Sequence, residues 1–191
     1  TFVAPTLIEI AGMADLTREV FGPVLHVLRF RREGLDALMQ DIEATGYGLT
    51  FGVHSRIDAT IAHVAARAPA GNIYVNRNLI GAVVGVQPFG GHVLSGTGPK
   101  AGGPLYLRRL LADCPAEPTL PAVGQTPQSA ALLGWLRARH PGSLAAAERQ
   151  VAASRMGLDI GLPGPAGEAN RYSLHPRGAV LCRAVTREGL L

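Results

Sequence analysis

The run Glu19-Val20-Phe21-Gly22-Pro23 places a carboxylate and an aromatic ring two residues apart, just before a Gly-Pro turn. Such a carboxylate can accept paired hydrogen bonds from a sugar diol, and the nearby ring can pack on a flat heterocycle. A short helix is expected before this run, and a negative charge at a helix C-terminus is opposed by the macrodipole, so Glu19 is not there to help the helix. The alternative is a surface Glu and a core Phe ahead of a turn.

A second set lies in Gly81-Ala82-Val83-Val84-Gly85-Val86-Gln87-Pro88-Phe89-Gly90-Gly91. Consecutive backbone amides without bulky side chains form a nest that can hold a carboxylate. Gly81 and Ala82 suit this because nothing larger than a methyl group blocks an approaching anion. Phe89 could close on the aliphatic part of the same ligand. A flexible surface loop is the competing reading, although Val83, Val84 and Val86 would be wasted on it. Upstream, Asn76 is expected at a strand end, either facing a ligand or satisfying its own turn.

Other residues are tempting and fail on spacing. Gly96-Thr97-Gly98-Pro99-Lys100-Ala101-Gly102-Gly103-Pro104 lacks both the G-x-G-x-x-G fingerprint after a strand and the Gly-Lys-Ser/Thr of a phosphate loop. Pro99 also removes an amide donor where a phosphate would need one. Cys114 beside Pro115, and Cys182 in an apolar run, read as structural or incidental thiols. No catalytic nucleophile is nominated, and no His or Cys cluster has metal-ligand spacing.

The elements that must position these groups follow from periodicity. Residues 24–30 are expected as a strand. Residues 34–45 form an amphipathic helix on Leu35, Leu38, Met39 and Ile42, with Gly46 as its left-handed cap. Residues 49–55 make a strand, and Asp58 caps a second helix whose inward face is Ile61, Val64, Ala65 and Ala68. Residues 72–76 make the next strand. Strand, helix, strand, helix, strand is the order of a right-handed parallel crossover sheet, so the first part is α/β. The glycine-rich passage 78–104 follows, of a length that usually signals function. A Pro-rich linker over residues 113–128 divides residues 1–112 from 129–191. The latter reads as part of a second α/β domain, with helices at 129–140 and 143–156, a turn-rich stretch at 157–167 and a strand at 178–185.

Composition excludes several classes. Apolar residues make up 47% and charged residues 17%, as in a globular chain rather than a disordered one. The net charge of +4 is scattered, and aromatics are only 5%, which argues against nucleic-acid binding. No apolar run reaches the length of a membrane span. Two cysteines cannot build a disulfide framework, so a reducing cytoplasmic setting fits best. The opening Thr1-Phe2-Val3-Ala4-Pro5 has no initiator Met or signal pattern and reads as the middle of a strand-forming region in a longer polypeptide.

Together, in this order and at these distances, the pieces resemble the C-terminal third of the aldehyde dehydrogenase superfamily. Glu19-Val20-Phe21-Gly22-Pro23 is similar to that superfamily's cofactor motif, and Pro88-Phe89-Gly90-Gly91 with Ser95-Gly96 to its terminal glycine-rich motif. Asn76-Arg77-Asn78, the 81–91 loop and residues 95–104 resemble the bifunctional proline utilisation A family of bacterial enzymes. Gly164-Pro165-Ala166-Gly167-Glu168-Ala169-Asn170 and Pro176-Arg177-Gly178 with Leu181-Cys182 resemble the segment after the dehydrogenase module in longer members. One departure is His92-Val93, where a smaller or acidic pair is expected.

The resemblance implies a partial aldehyde dehydrogenase catalytic domain followed by part of a second α/β domain. It implies NAD as cofactor, with Glu19 on the nicotinamide ribose hydroxyls and Phe21 beside the nicotinamide ring. It also implies that L-glutamate γ-semialdehyde is the substrate, its α-carboxylate on the amides of Gly81 and Ala82 and its carbon chain against Phe89. In this family the nucleophilic Cys lies upstream of any residue here, FAD serves a proline dehydrogenase module further upstream, and the full-length protein is an oligomer. The isolated chain is then inactive. The competing expectation is a non-catalytic module that reuses the fold to bind carboxylates or to assemble with a partner.

Overall fold

The computed structural model describes residues 2–96, 98–113, 120–177, 183, 185 and 186. The chain forms two compact units, Thr1–Val83 with Pro88–Gly103, and Val84–Gln87 with Pro104–Leu191.

In the first unit, β1 (Thr6–Ile10) pairs in parallel with β2 (Val24–Leu28), from Thr6 opposite Val24 to Ile10 opposite Leu28. Helix α1 (Leu35–Ala44) buries Met39. It ends at Gly46, whose φ of 74° lets its amide reach the Glu43 carbonyl at 3.0 Å, as the glycine's placement in the sequence predicts. The short β3 (Tyr47–Gly48) leads into β4 (Thr50–Val53), and α2 (Asp58–Ala65) crosses over to β5 (Asn72–Val75), which lies parallel to β4. Val64 is buried on α2, and Ile61, Ala65 and Ala68 are half-buried beside it, matching the expected inward face. The glycine-rich passage returns as β6 (His92–Val93), antiparallel to β3.

Two details depart from the periodicity reading. The crossover is local: β4 pairs with β5, but β2 takes β1 as its partner, giving separate two-stranded ladders rather than one continuous sheet. Asp58 is the first residue of α2 and not its cap; Ile57, with extended backbone, holds that position without a side-chain hydrogen bond.

In the second unit, α3 (Pro127–Arg139) starts two residues earlier than its apolar pattern suggests, because Pro is well suited to the first helical turn. Thr126 caps it reciprocally: Ser129 N–H donates to Thr126 Oγ1 at 3.2 Å, and Thr126 N–H to Ser129 Oγ at 2.8 Å. Helix α4 (Pro141–Ala152) follows directly, ending short of the expected Met156. The stretch expected to be turn-rich contains β7 (Asp159–Leu162), whose alternating exposure is that of a half-buried strand and which pairs antiparallel with β8 (Asn170–Ser173). Leu120, Leu158 and Tyr172 form this unit's buried cluster, with Leu105, Ile160, Leu162 and Leu174 against it. Cys114, Cys182 and almost all of the strand expected at 178–185 lie outside the described residues. No helix among the described residues is long and apolar enough to cross a membrane.

Candidate functional site

The root of the glycine-rich passage is organised by Asn72, the first residue of β5 and 8% exposed. Its Nδ2 donates to the Pro88 carbonyl at 2.9 Å, while its Oδ1 accepts from the Gly90 amide at 3.2 Å and from Lys100 Nζ at 2.9 Å. Lys100 also donates to the Gly71 carbonyl. Burial lowers the Lys100 pKa from 10.5 to about 8, since the ammonium has been taken out of water against neutral acceptors. Phe89 and Ala101 pair as a single antiparallel bridge, with N–H···O distances of 3.0 and 2.9 Å. The run Pro88-Phe89-Gly90 is thereby held from both sides.

The glycines here are required by close approach. A Cβ on Gly71 would run into the Gly90 carbonyl, and one on Gly91 into Ser95. Ser95 Oγ in turn accepts from the Gly48 amide at 3.2 Å.

Gly81 and Ala82 are half-buried, and neither backbone N–H has a hydrogen-bond partner among the described residues. A Cβ built on Gly81 meets nothing within 4 Å, so the space in front of it is open. Two successive amides without partners have the donor chemistry of an anion nest. Phe89 is half-buried, and no ring contact or hydrogen bond joins it to Gly81 or Ala82.

Glu19 and Phe21 stand at the entry to β2. Phe21 is 95% exposed, and the Glu19 carboxylate has no hydrogen bond or ion pair among the described residues. Next to them an open groove runs between residues 5–7 and 22–25, at the starts of β1 and β2. Gly22, at φ 128°, and the Thr6 amide bonded to the Pro23 carbonyl at 2.9 Å shape that turn.

Asn76 resolves toward structure. Its φ is 55°, and its side-chain amide clamps Ser55: Ser55 N–H donates to Asn76 Oδ1 at 2.9 Å, and Asn76 Nδ2 donates to the Ser55 carbonyl at 2.9 Å. The side chain is therefore committed to the loop after β4. No cluster of three or more His, Cys, Asp or Glu suited to a metal occurs among the described residues.

The clamp of Asn72 and Lys100 went unnominated in the sequence, yet one signal for it was present. Lys100 is the only Asp, Glu, Lys or Arg between Asn78 and Pro104, and a lone cation in a glycine-rich passage has to find acceptors.

Parallel ladders flanked by helices, with a glycine-rich passage following β5, place this chain in a known enzyme class. The profile described as the aldehyde dehydrogenase family matches residues 1–112, and the chain belongs to that family. It is similar over its whole length to the bifunctional protein PutA of Rhizobium meliloti, at 56% identity over 191 residues and 16% of that protein. The bifunctional protein PutA of Escherichia coli strain K12 is 52% identical, over 96% of this chain and 15% of that protein. Among solved structures, proline utilization A from Bradyrhizobium japonicum is 65% identical, with a TM-score of 0.54, over 56% of this chain and 11% of that one. A 1-pyrroline-5-carboxylate dehydrogenase from Thermus thermophilus is 41% identical, with a TM-score of 0.51, over 56% of this chain and 20% of that one. The chain thus spans only about a sixth of the length of the curated relatives it matches throughout.

Proposed function

We propose that this chain is the distal part of an NAD-dependent dehydrogenase that oxidises L-glutamate γ-semialdehyde, from 1-pyrroline-5-carboxylate, to L-glutamate in proline catabolism. The observation that carries this reading is that the successive amides of Gly81 and Ala82 have no partner among the described residues, with open space where a side chain on Gly81 would stand. Support comes from relatives named 1-pyrroline-5-carboxylate dehydrogenase, one of them 42% identical over 56% of this chain.

In this reading the amides of Gly81 and Ala82 donate to the substrate's α-carboxylate, and Phe89 covers its carbon chain. Holding one end of the substrate fixes where the aldehyde lies, which is how an anchor contributes to rate without touching the reacting carbon. Glu19 accepts from the nicotinamide ribose hydroxyls and Phe21 flanks the nicotinamide ring. Both side chains are exposed, and the carboxylate has no partner among the described residues, so they fit that group. NAD, when bound, supplies the hydride acceptor.

The nucleophilic Cys comes from a segment outside this chain, as does the FAD-dependent module of the longer proteins. Residues 1–112 belong to the catalytic domain, 113–128 to a linker and 129–191 to the following α/β domain. The full-length protein is cytoplasmic and oligomeric.

The test is a chimera in which this chain replaces the matching 16% of the Rhizobium meliloti bifunctional protein PutA. The chimera should reduce NAD with glutamate semialdehyde, and the 191-residue chain alone should not. Turnover by the isolated chain would overturn the fragment reading. A folded chimera that oxidises simple aldehydes and not the semialdehyde would overturn the substrate.

A further inference from the structure

We infer that Lys100 is a positioning residue for the substrate anchor, acting through Asn72 to fix the Pro88-Phe89-Gly90 arm that carries the ring closing on the substrate. The inference rests on the anchor reading above and extends it to residues that touch no ligand.

The geometry is a relay. Lys100 Nζ bonds the Gly71 carbonyl at the start of β5 and Asn72 Oδ1 at 2.9 Å. That same Oδ1 accepts the Gly90 amide at 3.2 Å, and the other half of the Asn72 amide holds the Pro88 carbonyl at 2.9 Å. The orientation of the amide decides both bonds: turning it over would point Nδ2 at two donors, the Gly90 amide and the ammonium. Lys100 donates only, so it locks the orientation that presents oxygen to Gly90. The neighbouring Ala101 is bridged to Phe89 on both sides of the pair, at 3.0 and 2.9 Å. Lys100 thus fixes residues on either side of Phe89 and, through its chain neighbour Ala101, Phe89 itself.

Packing leaves little slack for an alternative. A Cβ on Gly90 would sit 3.2 Å from Lys100 Cα, and one on Gly71 would overlap the Gly90 carbonyl. The backbone runs at 71, 90 and 100 are therefore in direct contact, and the ammonium closes the seam between them. A half-buried ammonium whose bonds among the described residues go to a carbonyl and an amide oxygen carries a desolvation cost that a purely structural contact of this size could avoid with an apolar residue.

The experiment uses the same chimera, with Lys100→Met and, as a milder variant, Lys100→Gln, which keeps a donor on a shorter stem. Steady-state kinetics are compared for glutamate semialdehyde and for an aliphatic aldehyde of similar length without an α-carboxylate. Lys100→Met should raise KM for the semialdehyde about tenfold, with kcat within about twofold and KM for NAD and for the plain aldehyde unchanged. Lys100→Gln should fall between, and Asn72→Ala combined with Lys100→Met should be no worse than Asn72→Ala alone. Unchanged KM for the semialdehyde in an active Lys100→Met chimera overturns the inference, as does an equal loss for both aldehydes. If Lys100→Met does not fold, a Lys100→Gln chimera with unaltered KM overturns it equally. An inactive chimera that still carries Lys100 contradicts the anchor reading itself and is thereby told apart from failure of the relay.

Discussion

Lys100 Nζ lies 2.9 Å from Asn72 Oδ1, and the same oxygen accepts the Gly90 amide at 3.2 Å. Three segments far apart in the chain meet on this one side-chain amide, which is buried. Removing it strands the Pro88 carbonyl, the Gly90 amide and one bond of the half-buried Lys100 ammonium. Asn72→Ala should destabilise the first unit by about 2–4 kcal/mol, measured by urea denaturation. A loss under about 1 kcal/mol would mean that water replaces the amide.

The ionisation of Lys100 sets a pH dependence. Its folded pKa of about 8 lies below the ordinary 10.5, so the unfolded chain holds the extra proton between those values and stability rises with pH there. Relative to Lys100→Met, the native protein should gain stability as pH goes from 8 to 10.5 and show no such trend from 6 to 7. A neutral amine keeps two N–H donors for its two acceptors, so the bonds survive the titration. Parallel curves for the two proteins across the whole range would contradict this.

Gly71 and Gly81 should answer differently to the same added methyl. At Gly71 a Cβ overlaps the Gly90 carbonyl, and at Gly81 it meets nothing within 4 Å. Gly71→Ala should cost about 3 kcal/mol, as overpacking against backbone does. Gly81→Ala should stay within about 0.5 kcal/mol. Thermal denaturation of the two variants side by side decides it.

Val93 has a φ of 50° and is 61% exposed, an uncommon backbone conformation for a β-branched residue with little burial to offset it. Val93→Asn should therefore stabilise the protein by about 1 kcal/mol. A destabilised variant would show that the exposed valine contributes more through contact than its backbone costs.

The clamp on Ser55 gives the opposite case. Asn76, at φ 55°, makes two 2.9 Å bonds to the Ser55 backbone, so Asn76→Ala loses both bonds and the tolerated conformation together. The expected loss is about 2 kcal/mol, and Asn76→Gly should recover only the conformational part.

Much of the first unit was legible before any coordinates. Helix α1 carried its apolar face and its terminating glycine in the right order, and α2 carried Val64 on the side that is buried. Pairing was less legible. The periodicity of β2 says which residues are apolar but not that β1 is its partner, because parallel pairing joins residues 18 apart through backbone groups common to all residues. β7 was hidden because Gly157, Gly161 and Gly164 read as turns, while only the partner strand β8 makes Asp-Ile-Gly-Leu extended. For the proposed anchor, Gly81 and Ala82 could be nominated from the sequence because smallness is what an amide nest needs. Asn72 and Lys100 could not, since their contacts depend on three segments meeting, and Asn76, readable either as facing a ligand or as satisfying its own turn, holds the Ser55 backbone instead.

The central claim is that the amides of Gly81 and Ala82 hold the α-carboxylate of an aldehyde substrate. Its most direct test is the ratio of kcat/KM for glutamate semialdehyde to that for an equally long aldehyde without the carboxylate, in the chimera and in its Gly81→Leu variant. The ratio should fall at least about tenfold on filling the open space at Gly81, with the plain aldehyde little affected. An unchanged ratio in a folded, active Gly81→Leu enzyme would contradict the account.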